Sequence, residues 1–301
     1  DLGGKNQTVG SLVVGSQDQN ASNALRSTDA GTLTLGSGEG GESSIWGEND
    51  FSGTVVLGAG HKLAINNVSG IGDGATVDFG DSSVLTIDGA TGGTFSTHLS
   101  GAGTVAVANS TFNVSGNNTA FTGTWQLGSS GNVTVSGTST DIDNALGSGA
   151  TLSFSGGGLS LKLAAGESAL TIDEVLSGDG SLVVKGTTGQ TFGLSSGGSD
   201  FAGTLFAGTL SLDGIGMTVG TGEGTVGANN AAGFAGANLN LSSGSLLTVE
   251  SSTVVNAFNT VTVEDSARFD LGALGFSAGL PLSGTTQLQI DALALENGAS
   301  G

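Results

Sequence analysis

The chain has 301 residues, with 26 acids against six bases for a net charge of −20, and it holds 57 Gly and no Cys. A field of that sign repels phosphate and so argues against nucleic acid and anionic membrane as partners, and the missing Cys excludes disulfides and thiolate zinc sites. Thirteen Phe and recurrent Val, Leu and Ile set the chain apart from disordered low-complexity sequence, which is poor in such residues.

In chain order, Asp1-Leu2-Gly3-Gly4 shows no signal-peptide pattern, which suits a segment of a longer protein. No stretch reaches the roughly 18 apolar residues of a membrane helix. Short strands with apolar residues at period two are predicted at Thr32–Leu35, Thr54–Leu57, Asn132-Val133-Thr134-Val135 and Thr260–Val263, each bounded by Gly, Ser, Asn or Asp. Gly interrupts almost every helical window, and helix is expected to be nearly absent. The best exception is the short run Asp291-Ala292-Leu293-Ala294-Leu295-Glu296. Asp73-Gly74, Asp179-Gly180 and Asp213-Gly214 are turn pairs of the kind that close hairpins.

The chain also repeats itself. Phe51-Ser52-Gly53-Thr54, Phe121-Thr122-Gly123-Thr124 and Phe201-Ala202-Gly203-Thr204 state one phrase three times. Leu99-Ser100-Gly101-Ala102-Gly103 and Leu176-Ser177-Gly178-Asp179-Gly180 state a second. A single sandwich has no reason to restate its own sequence, whereas a solenoid does. The fold expected is all-β, a right-handed parallel β-helix of roughly 12–15 coils with about 20–25 residues each. The expected division is one β-helical segment over 1–301, with internal repeats at about 27–98, 99–175 and 176–250. Residues 251–301 would form C-terminal coils, and each long repeat would hold about three coils. Phe51, Phe121 and Phe201 are expected to point inward and fix register. The Gly two places on would then make a corner, and the Thr would open the next strand.

These phrases, most fully Phe121-Thr122-Gly123-Thr124-Trp125-Gln126-Leu127, resemble the passenger domain of Gram-negative autotransporters of the AIDA-I and antigen 43 adhesin type. The opening Gly3-Gly4-Lys5-Asn6-Gln7-Thr8-Val9-Gly10-Ser11-Leu12 resembles the start of a passenger repeat, and residues 205–301 fit the pattern less well. The resemblance implies a parallel β-helix exported through the periplasm and outer membrane to the cell surface by a C-terminal barrel that this chain lacks. It implies work in self-association, biofilm formation and adhesion to host or abiotic surfaces. Its partners would be a second copy of the protein, or a host matrix protein or glycan.

Catalytic and metal constellations are sparse. Gly80-Asp81-Ser82-Ser83, with His61 and His98, is a faint echo of a serine-protease phrase that lacks the second Gly. A β-helical polysaccharide-binding or -cleaving protein is the alternative reading. Such an enzyme needs clustered carboxylates, and the clusters in the sequence are Asp73, Asp78 and Asp81, and the pair Asp141 and Asp143. Asp141-Ile142-Asp143-Asn144 begins like a calcium loop but continues with neither the Gly at the sixth place nor the Glu at the twelfth. No enzyme activity, cofactor or metal is expected. Solvated bends account for most of these acids, and Trp46, in a polar stretch, is kept as a surface candidate. Trp125 is expected to be buried or half-buried.

Overall fold

The computed structural model describes residues 3–15, 25–27, 29–36, 40–194, 209–213, 216–219, 238–242, 245–249, 260–263, 268–270 and 287–290. Phe201-Ala202-Gly203-Thr204, Asp213-Gly214 as a pair, and the run from Asp291 to Glu296 lie outside those residues, wholly or in part.

The predicted alternation is what builds the fold. Short strands with every second residue apolar cannot bury that face alone, so each stacks in parallel on the strand one coil further along. Leu63, Leu85, Val105, Trp125, Leu152 and Leu176 are successive register partners, and none is more than 1% exposed. A second inward row runs through Ile45, Ile65, Ile87, Val107, Leu127 and Phe154. Burial of such side chains contributes about 1.5–3 kcal/mol each, and every coil adds several. The result is a β-solenoid.

Strands of the fifteen-stranded sheet follow one another in a path of twelve, beginning at Val13–Val14 and ending at Gln287–Ile290. The nearly continuous part, to Leu194, makes about eight turns; the strands beyond it extend the ladder in the same register sense. Coil length varies. Thr104 faces Thr124, but Thr124 faces Thr151 and Thr209 faces Asn238. The parallel pairing also means that the turn pairs do not close hairpins: Asp73-Gly74 turns before the strand Thr76–Phe79, and Asp179-Gly180 lies inside the long strand Val175–Lys185.

Both repeated phrases find a steric explanation. Phe51 and Phe121 are 1% and 0% exposed, and Thr54 and Thr124 open the next strands. In the second phrase, Gly103 and Gly180 lie against the rings of Phe79 and Phe154 of the coil below, where a Cβ would overlap ring carbons. The long repeat, however, is not three whole coils. Thr54 opens a strand of the six-stranded sheet, whereas Thr124 opens one of the fifteen-stranded sheet. The same phrase turns two different corners, because it encodes a local bend and not a position around the coil.

One face is broken. Six strands, from Gln7–Val9 to Ala120–Phe121, form one sheet; five others, from Ala169–Ile172 to Arg268–Asp270, form another. Between them, where a seventh strand would fall, stands a helix, α1 (Ser139–Leu146). Helix is nearly absent among the described residues, as expected, and this short one lies where no helix signal was singled out. Thr138 and Asp141 form a reciprocal capping box, Gly147 closes the C-terminus, and Ile142, Ala145 and Leu146 face the core.

Candidate functional site

The first group of acids singled out in the sequence does not converge on one site. Asp73 accepts hydrogen bonds from Ser69 and Ser96, Asp78 accepts one from Ser100, and Asp81 sits in an exposed turn with Ser82 at φ +56. Asp73 and Asp78 are tied to serines of their own or the next coil, and the Asp81 carbonyl accepts from the Gly60 N–H, so the three serve bends and outer rows and form no site together. Trp46 is half-buried and packs beside Gly15. Trp125 is buried, and its Nε1 donates to the Leu146 carbonyl at 2.8 Å.

The faint protease constellation is likewise dispersed. His61 is fully buried and its Nε2 lies 2.8 Å from Ser43 Oγ, while burial lowers its pKa. His98 contacts the backbone of Asn117. Neither imidazole bonds Ser82, and Ser83 Oγ donates to the Gly80 carbonyl.

Asp141 and Asp143 are not solvated bends. Both lie on α1, two residues apart and so on different faces of the helix. Asp141 bonds the Thr138 N–H at 3.0 Å, and its bonds to Thr138 hold its pKa below the ordinary value. Asp143 turns instead toward the coil above, where the connection after Ala169–Ile172 brings Asp173 and Glu174. The carboxyl oxygens of Asp143, Asp173 and Glu174 lie within 4.8 Å of one another, the one such acidic or His grouping among the described residues.

The three are unequally placed. Asp173 is oriented by Ser148 Oγ and the Gly149 N–H, both at 2.9 Å. Asp143 is half-buried, and its pKa is raised by burial and then by the Asp173 charge. Glu174 is 0% exposed and neither of its oxygens has a hydrogen-bond partner. Burial pushes its pKa up to about 8. The backbone N–H groups of Glu174 and Asp173 oppose that shift from outside hydrogen-bonding geometry, and the Asp173 and Asp143 charges add to it. At neutral pH Glu174 therefore holds a proton.

Sequence reasoning passed over Asp173 and Glu174, yet a signal was present. In Leu170-Thr171-Ile172-Asp173-Glu174-Val175-Leu176 the inward positions are Leu170, Ile172, Glu174 and Leu176, all buried. An acid in an inward slot of a period-two pattern is the anomaly. Asn49 and Asn118 were also passed over. Asn118 is buried, accepts from the Leu99 N–H at 2.8 Å and donates to the Ala145 carbonyl at 2.6 Å, so it joins three coils. Asn49 does the same between Leu25 and Gly70. Asn49 stands two residues before Phe51, and Asn118 three before Phe121.

No protein-family model, curated protein or solved structure matches the chain.

Proposed function

We propose that this chain is a rod segment of a bacterial cell-surface adhesin, exported through the periplasm and outer membrane, that works by self-association in biofilm formation and by adhesion to surfaces. Host matrix protein or glycan is the second class of partner. The observation that carries this reading is the set of in-register rows of short polar side chains on the outside of the coils. Thr32, Thr54 and Thr76 form one row and Thr104, Thr124 and Thr151 another. Asn132 and Asn113 begin further rows shared with Thr111 and Thr134. Such a face is flat, and suits another flat or extended surface better than a small molecule.

Each new hydrogen bond across such a contact contributes about 0.5–1.5 kcal/mol net, and many copies on two cells multiply weak contacts through avidity. Val13 is the large apolar side chain that stands well exposed among the described residues, so apolar burial supplies little of the association. Two copies at −20 each repel over a screening length of about 8 Å at physiological salt. Sedimentation velocity across protein concentration should therefore show more self-association at physiological than at low ionic strength. Association that weakens steadily as salt rises, or none at any concentration, overturns the self-association reading. The polysaccharide-cleaving alternative draws on raised carboxyl pKa values, but full burial of Glu174 leaves a sugar no access to it.

A further inference from the structure

The three-carboxylate junction above α1 raises a problem that the adhesive reading does not address. A carboxyl that is fully buried, with two unpartnered oxygens, is costly. Here it is also aimed at two further carboxylates. The backbone N–H groups of Glu174 and Asp173 relieve it only in part, from outside hydrogen-bonding geometry, and the charges acting on it are both negative. A simple exchange to Leu, matching Ile172 and Leu176 on either side, would have continued the apolar row. The placement makes physical sense with a positive guest.

We propose that Asp143, Asp173 and Glu174 bind one hard divalent cation, calcium in preference to magnesium, which clamps α1 to the coil above it. The donor set is oxygen only, with neither imidazole nor thiolate, and that selects hard cations over zinc or copper. Three carboxylates offer up to six oxygens, the lower end of calcium's requirement of about six to eight. Two oxygens on opposite sides of a calcium ion stand about 4.6–5.2 Å apart, given bonds of about 2.3–2.6 Å; the ligand atoms here lie within 4.8 Å of one another. Magnesium, with bonds of about 2.0–2.1 Å, would draw them closer, and it dehydrates reluctantly, which disfavours it beside the fully buried Glu174.

The surroundings fit the role. Ser148 Oγ and the Gly149 N–H hold Asp173 in orientation, as outer-shell donors commonly do for a ligating carboxylate. The three ligands come from two successive coils, since Asp143 belongs to α1 and the other two to the connection above it. An ion there ties together the place where, among the described residues, the face changes from strand to helix and back. Binding to the folded form alone raises stability by mass action.

The test is calcium binding by equilibrium dialysis with the whole chain at about 0.15 M salt, which screens diffuse uptake by surface acids. The same samples are then scanned for thermal unfolding with calcium or magnesium chloride. One saturable calcium per chain is expected, with a higher unfolding midpoint and a weaker response to magnesium. Glu174→Gln keeps the shape and neutrality of the protonated side chain, so it folds; it and Asp143→Asn should weaken binding by about ten- to a hundredfold or more. Asp73→Asn, an exposed control, should leave binding unchanged. Uptake that never saturates, or a Glu174→Gln chain that binds calcium as tightly as the parent, overturns the proposal and leaves Glu174 as a carboxyl kept neutral by its proton. Neither outcome depends on self-association, which is read separately.

Discussion

The two sides of α1 solve the same problem in opposite ways. Below, the helix end meets Asn118 and Trp125, whose N–H groups reach the Ala145 and Leu146 carbonyls at 2.6 and 2.8 Å, with the Asn118 backbone N–H on the Asn144 carbonyl. Every polar atom named there has a partner, and the ring of Phe121 packs against both Phe79 and Trp125 at 5.5 and 6.2 Å. Above, the helix meets Asp173 and Glu174, and the buried carboxyl has none. The lower junction is complete as built from protein alone. The upper one is complete only with a proton or a cation. A solenoid can thus switch a face from strand to helix by neutral amides without further help, whereas carboxylates make the same switch depend on the medium.

The largest expected effect comes from breaking the lower side. Phe121→Ala removes a ring held between two others and leaves a cavity, at about 3–5 kcal/mol, read as a loss of thermal stability. Asn118→Ala comes next. It strands the Leu99 N–H and the Ala145 carbonyl in the core, and two unsatisfied groups cost about 2–4 kcal/mol. An equal loss from the exposed Asp73→Asn would show that the contrast with surface acids is unfounded.

A third test sharpens the upper side through pH, with an effect spread over several pH units. Folded Glu174 keeps its proton up to about pH 8, from an ordinary value of 4.5. Between those values the folded chain binds the extra proton, so stability is highest below the unfolded value and falls as pH rises through the window. The slope is about 1.4 kcal/mol per pH unit at most. Denaturant unfolding without calcium should show that decline from mildly acidic to mildly basic pH, and Glu174→Gln should flatten it. A chain whose stability does not change across the window, or a Glu174→Gln chain with the same slope as the parent, would show that this carboxyl is not held neutral. The burial of His61 acts in the other direction, since its lowered pKa makes acid, not base, destabilising below its ordinary value.

Much of the fold was legible because it is local. Period-two patterns located Thr32–Leu35, Thr54–Leu57 and Thr260–Val263 as strands with the observed bounds. The Phe-x-Gly-Thr phrases at Phe51 and Phe121 marked real corners with buried rings. The helix was missed because glycine content was averaged over windows, while the stretch between Gly137 and Gly147 holds no Gly and opens with Thr138 and Asp141 in capping-box spacing. The carboxylate cluster was half seen. Asp143 was a candidate, but paired with Asp141, its neighbour in sequence and not in space.

From its own order of residues this chain determined that it would be β, parallel and coiled, because alternation and glycine corners act over a few residues and leave each strand an apolar side that only a neighbour can cover. Which corner of the coil each phrase would turn, and that Asp143 would meet Asp173 and Glu174 across a coil boundary, was decided by the tertiary structure. Coil length depends on the whole circuit of bends, and a change of a few residues in any loop moves a side chain to another face.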